Sequence, residues 1–142
     1  MSLRSLLKTE GQIGRWGEVL KIYAELQIEL ADRRESCVAH PFFTLVVTLR
    51  SVAYSLDLAD DDPALARLRD IYLDPWRRYA SWDDLQSTYV LASRVQMVNR
   101  ALTWYRVVSH LEESYRCEEA DAVPGWLKEF LEVVTRDMTG GR

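Results

Sequence analysis

Apolar residues return along most of this chain every three or four positions, the repeat that lines side chains along one face of an α-helix. In the first third, Ile13, Trp16, Leu20, Tyr23, Ile28 and Leu30 recur near that spacing, and Val19, Ile22 and Leu26 widen the face. The pattern predicts a helix over about residues 12–34 with that side buried. Thr9 followed by Gln12 has the form of a capping box and marks its start. Gly14 and Gly17 weaken the first turns, each by ~1 kcal/mol relative to alanine.

A second segment follows Pro41, a residue suited to the first position of a helix because its missing amide is unused there. From Phe42 to Leu56 almost no polar face remains. Val46, Val47 and Thr48 also suit a strand, but the apolar run outlasts a typical strand, so a central helix is expected. Asp62 before Pro63 is a third start signal, with Leu65, Leu68, Ile71 and Tyr72 on the apolar face. Pro75 falls too deep in that pattern and predicts a break near residues 73–74. Ser81 with Asp84 repeats the start logic, and Leu85, Tyr89, Ala92 and Val95 make the next stripe. Residues 99–113 continue as helix, with Ala101, Leu102, Tyr105, Val108 and Leu111 inward. Residues 115–123 read as an acidic loop, and Pro124 opens a last helix through Trp126, Leu127, Phe130, Leu131 and Val134. Its Gly140–Gly141 end should fray. The fold expected is all-α, about six helices in one compact bundle, with residues 1–142 forming a single helical domain.

Composition narrows the function classes. With 142 residues there is enough chain for one domain with a real core, whereas two would each be marginal. A net charge of −4 gives no general attraction to nucleic acid. The least polar stretch, residues 36–49, is shorter than the ~20 residues of a membrane helix and contains His40 and Pro41. Cys37 and Cys117 fit no metal spacing, and no leader-like apolar run opens the chain, so reduced thiols and a cytoplasmic location are expected.

Each candidate chemistry has a plainer structural account. His40 is better read as a cap for the helix after Pro41 than as a ligand, and His110 stands alone. Cys37 beside that cap is an activated thiol or, more simply, an inert one. Asp57, Asp60, Asp61 and Asp62 lack the glycine turn and distal Glu of a calcium loop, so a solvated loop plus a helix cap is preferred. The second acidic run, Glu112, Glu113, Glu118, Glu119 and Asp121, also reads as a solvated loop. Trp76, Arg77, Arg78, Tyr79 and Trp82 mix cations and rings as single-strand binders do, but two arginines make no groove. Ring packing with arginine stacking is the better account.

Four sequence clusters carry a resemblance: His40-Pro41-Phe42-Phe43; Leu68-Arg69-Asp70 with Tyr72-Leu73-Asp74-Pro75-Trp76; Asn99-Arg100-Ala101-Leu102 with Trp104-Tyr105-Arg106; and Val123-Pro124-Gly125-Trp126-Leu127. Together they make residues 35–131 resemble the C-terminal helical part of the aminoglycoside phosphotransferase family, relatives of choline kinases and of the protein-kinase fold. Tyr23-Ala24-Glu25-Leu26-Gln27 resembles the family's helix ahead of the catalytic loop. The resemblance implies an ancestral transfer of the ATP γ-phosphate to a small-molecule hydroxyl, with ATP and magnesium as cofactors of the intact family.

This sequence departs from the family where the chemistry belongs. Members carry His-x-Asp-x-x-x-x-Asn and then a metal-holding Asp, which orient the hydroxyl and hold magnesium on the phosphates. Here Asp32-Arg33-Arg34 runs straight into Glu35-Ser36-Cys37-Val38-Ala39-His40, and neither a Gly-rich loop nor a phosphate-pairing Lys is found. Accordingly no catalytic, cofactor-binding or metal-binding residue is assigned, and no cofactor is expected for this chain. The expectation is a helical remnant, shaped by truncation and internal deletion and inactive alone. Two alternatives stand beside it. One is a non-catalytic interaction or self-association module, working through apolar surface bared around the second helix and around Trp104 and Tyr105. The other is complementation by a separately encoded lobe. The partners expected are a second copy or another protein, not nucleic acid or membrane.

Overall fold

The computed structural model of the chain describes residues 3–32, 40–111 and 121–140. Among them it is all-α, with no strand: α1 (Leu3–Asp32), α2 (Phe42–Leu56), α3 (Pro63–Leu73), a 3-10 turn (Asp74–Arg78), α4 (Trp82–His110) and α5 (Ala122–Gly140). The sixth helical piece is the 3-10 turn, while the two stretches expected after Ser81 form one continuous helix. The chain divides into two compact units, Met1–Tyr89 and Val90–Arg142. The first holds α1, α2, α3, the 3-10 turn and the opening of α4. The second holds the remainder of α4 and α5.

Local chemistry accounts for most boundaries. Asp62 Oδ1 accepts from the Ala64 amide at 2.8 Å ahead of Pro63, which starts α3. Pro75 enters at the 3-10 turn, where α3 has just ended at Leu73. Ser81 Oγ accepts from the Asp84 amide at 3.2 Å and donates to the Asp84 carboxylate at 2.6 Å, which opens α4. Asp57 closes α2 in the left-handed region at φ 53°, its amide turned back to the Ala53 and Tyr54 carbonyls. Two starts differ from expectation. α1 begins at Leu3, not Gln12, because Leu3-Arg4-Ser5-Leu6-Leu7-Lys8 is itself rich in helix formers and propagates through Thr9. α5 begins at Ala122, so Pro124 sits inside the first turn, where no intrahelical amide bond is needed.

In the first unit α3 lies at the centre, packed by α1 on one side and by α2 on another, with α1 also meeting the 3-10 turn. The face of α1 that is buried is Ile13, Gly17, Leu20, Ala24 and Ile28. α2 contributes Phe42, Leu45, Val46, Leu49, Val52 and Ala53, and α3 contributes Ala64, Leu65, Leu68, Tyr72 and Leu73. Fully burying one such large side chain stabilises by roughly 1.5–3 kcal/mol. Gly17 marks the close approach of α1 and α3: a Cβ there would meet Ile71 Cδ1 at 3.0 Å and Leu68 Cδ2 at 3.7 Å.

Several residues expected inward are exposed instead: Val19, Ile22, Leu26 and Leu30 on α1, Ile71 on α3, Val95, Leu102 and Tyr105 on α4, and Leu127 and Leu131 on α5. A neighbouring helix covers only an arc of another helix's surface. When apolar residues occupy more than one stripe, packing partners choose among them, and periodicity alone does not. α4 buries Ala92, Gln96, Met97 and Ala101. No helix among the described residues is long and apolar enough to cross a membrane. Arg33, Arg34, Glu35, Cys37 and Cys117, with residues 112–120, lie outside the described residues.

Candidate functional site

The first two resembling clusters meet in the first unit. Phe42 stands edge-on to Tyr72, with ring centroids 5.9 Å apart, and edge-on to Trp76 at 5.5 Å. His40 adds a third edge contact to Phe42 at 4.9 Å. Edge-to-face pairs of this kind add about 0.5–1.5 kcal/mol beyond the area they bury. Tyr72 is fully buried, and its hydroxyl reaches both Gln27 Oε1 of α1 and, at 3.0 Å, the Pro41 carbonyl ahead of α2. Gln27 Nε2 donates to the same carbonyl at 3.5 Å. One phenol thereby ties three segments together. Burial, with Tyr23 nearby, raises its pKa above the ordinary value, so it stays a neutral donor.

His40 does the capping expected of it. Its Nδ1 accepts the Phe42 amide at 3.2 Å and its carbonyl accepts the Phe43 amide at 3.0 Å. That contact needs a neutral ring with an unprotonated Nδ1, and burial lowers the pKa in the matching direction. His110 instead hydrogen-bonds the Arg106 carbonyl through Nδ1 at 2.7 Å, near the end of α4. In the acidic loop Asp62 and Asp57 serve helix ends, and Asp60 and Asp61 are exposed. Among the described residues no three of His, Cys, Asp and Glu gather as a metal site.

The cation-and-ring segment stacks on itself. Arg77 lies 5.7 Å from the Trp82 centroid and Arg78 5.2 Å from that of Tyr79. The indole N–H of Trp76 is buried with no hydrogen-bond partner among the described residues. An open groove of about 580 Å³ is lined by Lys21, Asp70, Ile71, Asp74, Arg77 and Trp82. Its carboxylates are engaged locally: Arg69 to Asp70 at 2.7 Å and Arg77 to Asp74 at 3.5 Å. Ion pairs at this exposure contribute about 0–1 kcal/mol each, so the groove is an ordinary solvated surface.

In the second unit the other two resembling clusters meet where the Arg100 guanidinium lies 5.8 Å from the Trp126 centroid. On another face of α4, Leu91, Val95, Leu102 and Tyr105 are 46–63 % exposed, with Val98 half-buried between them. Their steps of four, three, four and three residues are those of a coiled-coil seam. That alternation was readable from the sequence, but inward periodicity and a seam look alike until partners are placed. Of the surface expected around α2, Phe42, Leu45, Val46, Leu49, Val52 and Ala53 are buried, Phe43, Val47 and Leu56 are half-buried, and Tyr54 is exposed. Of the surface expected near Trp104 and Tyr105, Tyr105 is exposed and Trp104 half-buried. Gln27, absent from the candidates read off the sequence, is a polar residue set within the buried stripe of α1. Comparison with known protein families, with curated proteins and with solved structures finds no match for this chain.

Proposed function

We propose that this chain is a non-catalytic helical interaction module that associates with itself, on a framework related to the C-terminal helical part of the aminoglycoside phosphotransferases. The seam on α4 carries the first half of this reading. Four large apolar side chains held in water at coiled-coil spacing are what a partner helix covers, and a contiguous patch of a few hundred Å² marks an interaction surface. The kinship is supported by how the four resembling clusters converge in pairs: His40-Pro41-Phe42 on Tyr72 and Trp76, and Arg100 on Trp126. In both pairs the shared residues act in packing.

On this reading the ancestral phosphoryl transfer is not performed by this chain, and it takes neither ATP nor magnesium. The short run between Asp32 and His40 leaves no room for the family's catalytic loop. The cytoplasm is the proposed location, where the two cysteines stay reduced. Two measurements test the proposal. Incubation with γ-labelled ATP, magnesium and a panel of small alcohols is expected to leave every alcohol unlabelled, and transfer to any of them overturns the non-catalytic reading. Light scattering is expected to show a mass rising with concentration from 16.5 kDa towards twice that value. A mass fixed at the monomer overturns self-association.

A further inference from the structure

The α4 seam carries its large and small side chains in an order that fits one arrangement of two copies. In heptad terms Val95 and Leu102 fall at a, while Leu91, Val98 and Tyr105 fall at d. Facing helices pack well when a large side chain on one meets a small one on the other. Two seams laid parallel and in register set every residue against its own copy, so the two Tyr105 rings collide in one layer.

An antiparallel pair sets a against d instead. With its two-fold axis level with Arg100, Val95 faces Tyr105 of the second copy and Val98 faces Leu102. Each central layer then joins a valine to a larger side chain. Sliding the pair by one heptad loses this match. In one direction Leu91 faces Leu102 and Val95 faces Val98; in the other Leu102 faces Tyr105 and Val98 faces Ser109. The borders agree with the same register. Arg94, at g, comes opposite Val108, and Arg106, at e, comes opposite Ala92, so no like charges meet. All of these residues belong to the second unit.

We infer that the α4 seam is covered by the α4 seam of a second copy running antiparallel, with Val95 of each copy packed on Tyr105 of the other. This rests on the self-association reading above and names the surface and direction that perform it. Leu91, Val95, Leu102 and Tyr105 leave on the order of 100 Å² each in water. Two copies would bury ~800 Å² through them, less than the ~1,200 Å² of a standard interface, which makes the dimer weak and reversible.

A double-substitution cycle tests the direction, with sedimentation velocity as the readout. Val95→Lys and Tyr105→Glu fall at positions that the folded chain exposes. Each alone is expected to weaken association at least about tenfold, because the new charge faces an apolar side chain. In the chain carrying both, each introduced lysine faces an introduced glutamate. That chain is expected to associate at least about tenfold more tightly than the two separate losses multiplied together. Losses that simply multiply overturn the antiparallel register and leave self-association standing, and so do single variants that associate as the wild type does. The unmodified chain gives a check independent of folding in the variants. This pairing joins no unlike charges, so raising salt from ~0.05 M to ~0.5 M should leave association no weaker. A several-fold weakening overturns the pairing, whereas a wild-type monomer at every concentration brings down the earlier reading itself.

Discussion

A single hydroxyl, that of Tyr72, joins Gln27 on α1 to the Pro41 carbonyl ahead of α2 from a fully buried position on α3. Tyr72→Phe keeps the ring packing and removes only the donor. Urea unfolding is expected to show a loss of about 1–2 kcal/mol, because Gln27 Oε1 loses its donor and the Pro41 carbonyl keeps only Gln27 Nε2 at 3.5 Å. Nearby, the lowered pKa of His40 sets a pH dependence of definite sign. The unfolded chain takes up a proton near the ordinary 6.5, and the folded chain does so only at lower pH. This contribution is therefore complete above 6.5 and is lost as the pH falls through the folded value. His40→Asn, which keeps a cap acceptor but does not titrate, should lose less stability than the wild type between ~pH 7.5 and ~pH 5.5 in the same assay. The sequence indicated that Tyr72 is buried and that His40 caps a helix. It did not indicate that Tyr72 meets Gln27, because a polar residue in a buried stripe names its partner only once two helices are placed.

At the scale of elements, α1 and α3 come closest where Gly17 sits. Gly14 faces open space, so Gly14→Ala should stabilise by about 0.5–1 kcal/mol through helix propensity alone. At Gly17 a methyl group presses on the flexible end of Ile71, so Gly17→Ala should gain less, and Gly17→Leu should cost about 1–3 kcal/mol by forcing the helices apart. Thermal melts of the three variants rank them. Helix starts at Asp62 and Ser81 and the interruption at Pro75 were legible because each depends on neighbours within four residues. The start of α1 was not. Thr9 and Gln12 form a capping pattern that the helix passes through, since residues on its N-terminal side already favour helix.

For the molecule as a whole, the informative surface is the one that the core leaves in water. Its residues were legible as apolar and helical, and the inward assignment of Val95, Leu102 and Tyr105 failed because α4 carries apolar side chains on several faces. Leu102→Glu sets a carboxylate in the middle of the seam without touching a buried residue. It is expected to shift the light-scattering mass to the monomer while circular dichroism stays unchanged, and an undiminished mass would place self-association on another surface. Of the residues that carried the resemblance, Phe42, Tyr72, Trp76, Arg100 and Trp126 take part in ring contacts, whereas Leu102, Tyr105 and Leu127 are exposed. The indole N–H of Trp76 is shielded from water and has no hydrogen-bond partner among the described residues. In a chain retaining Trp76 as its sole tryptophan, fluorescence would be blue while the first unit is folded and would turn red once solvent wets the ring, an intrinsic optical gauge of that unit's integrity.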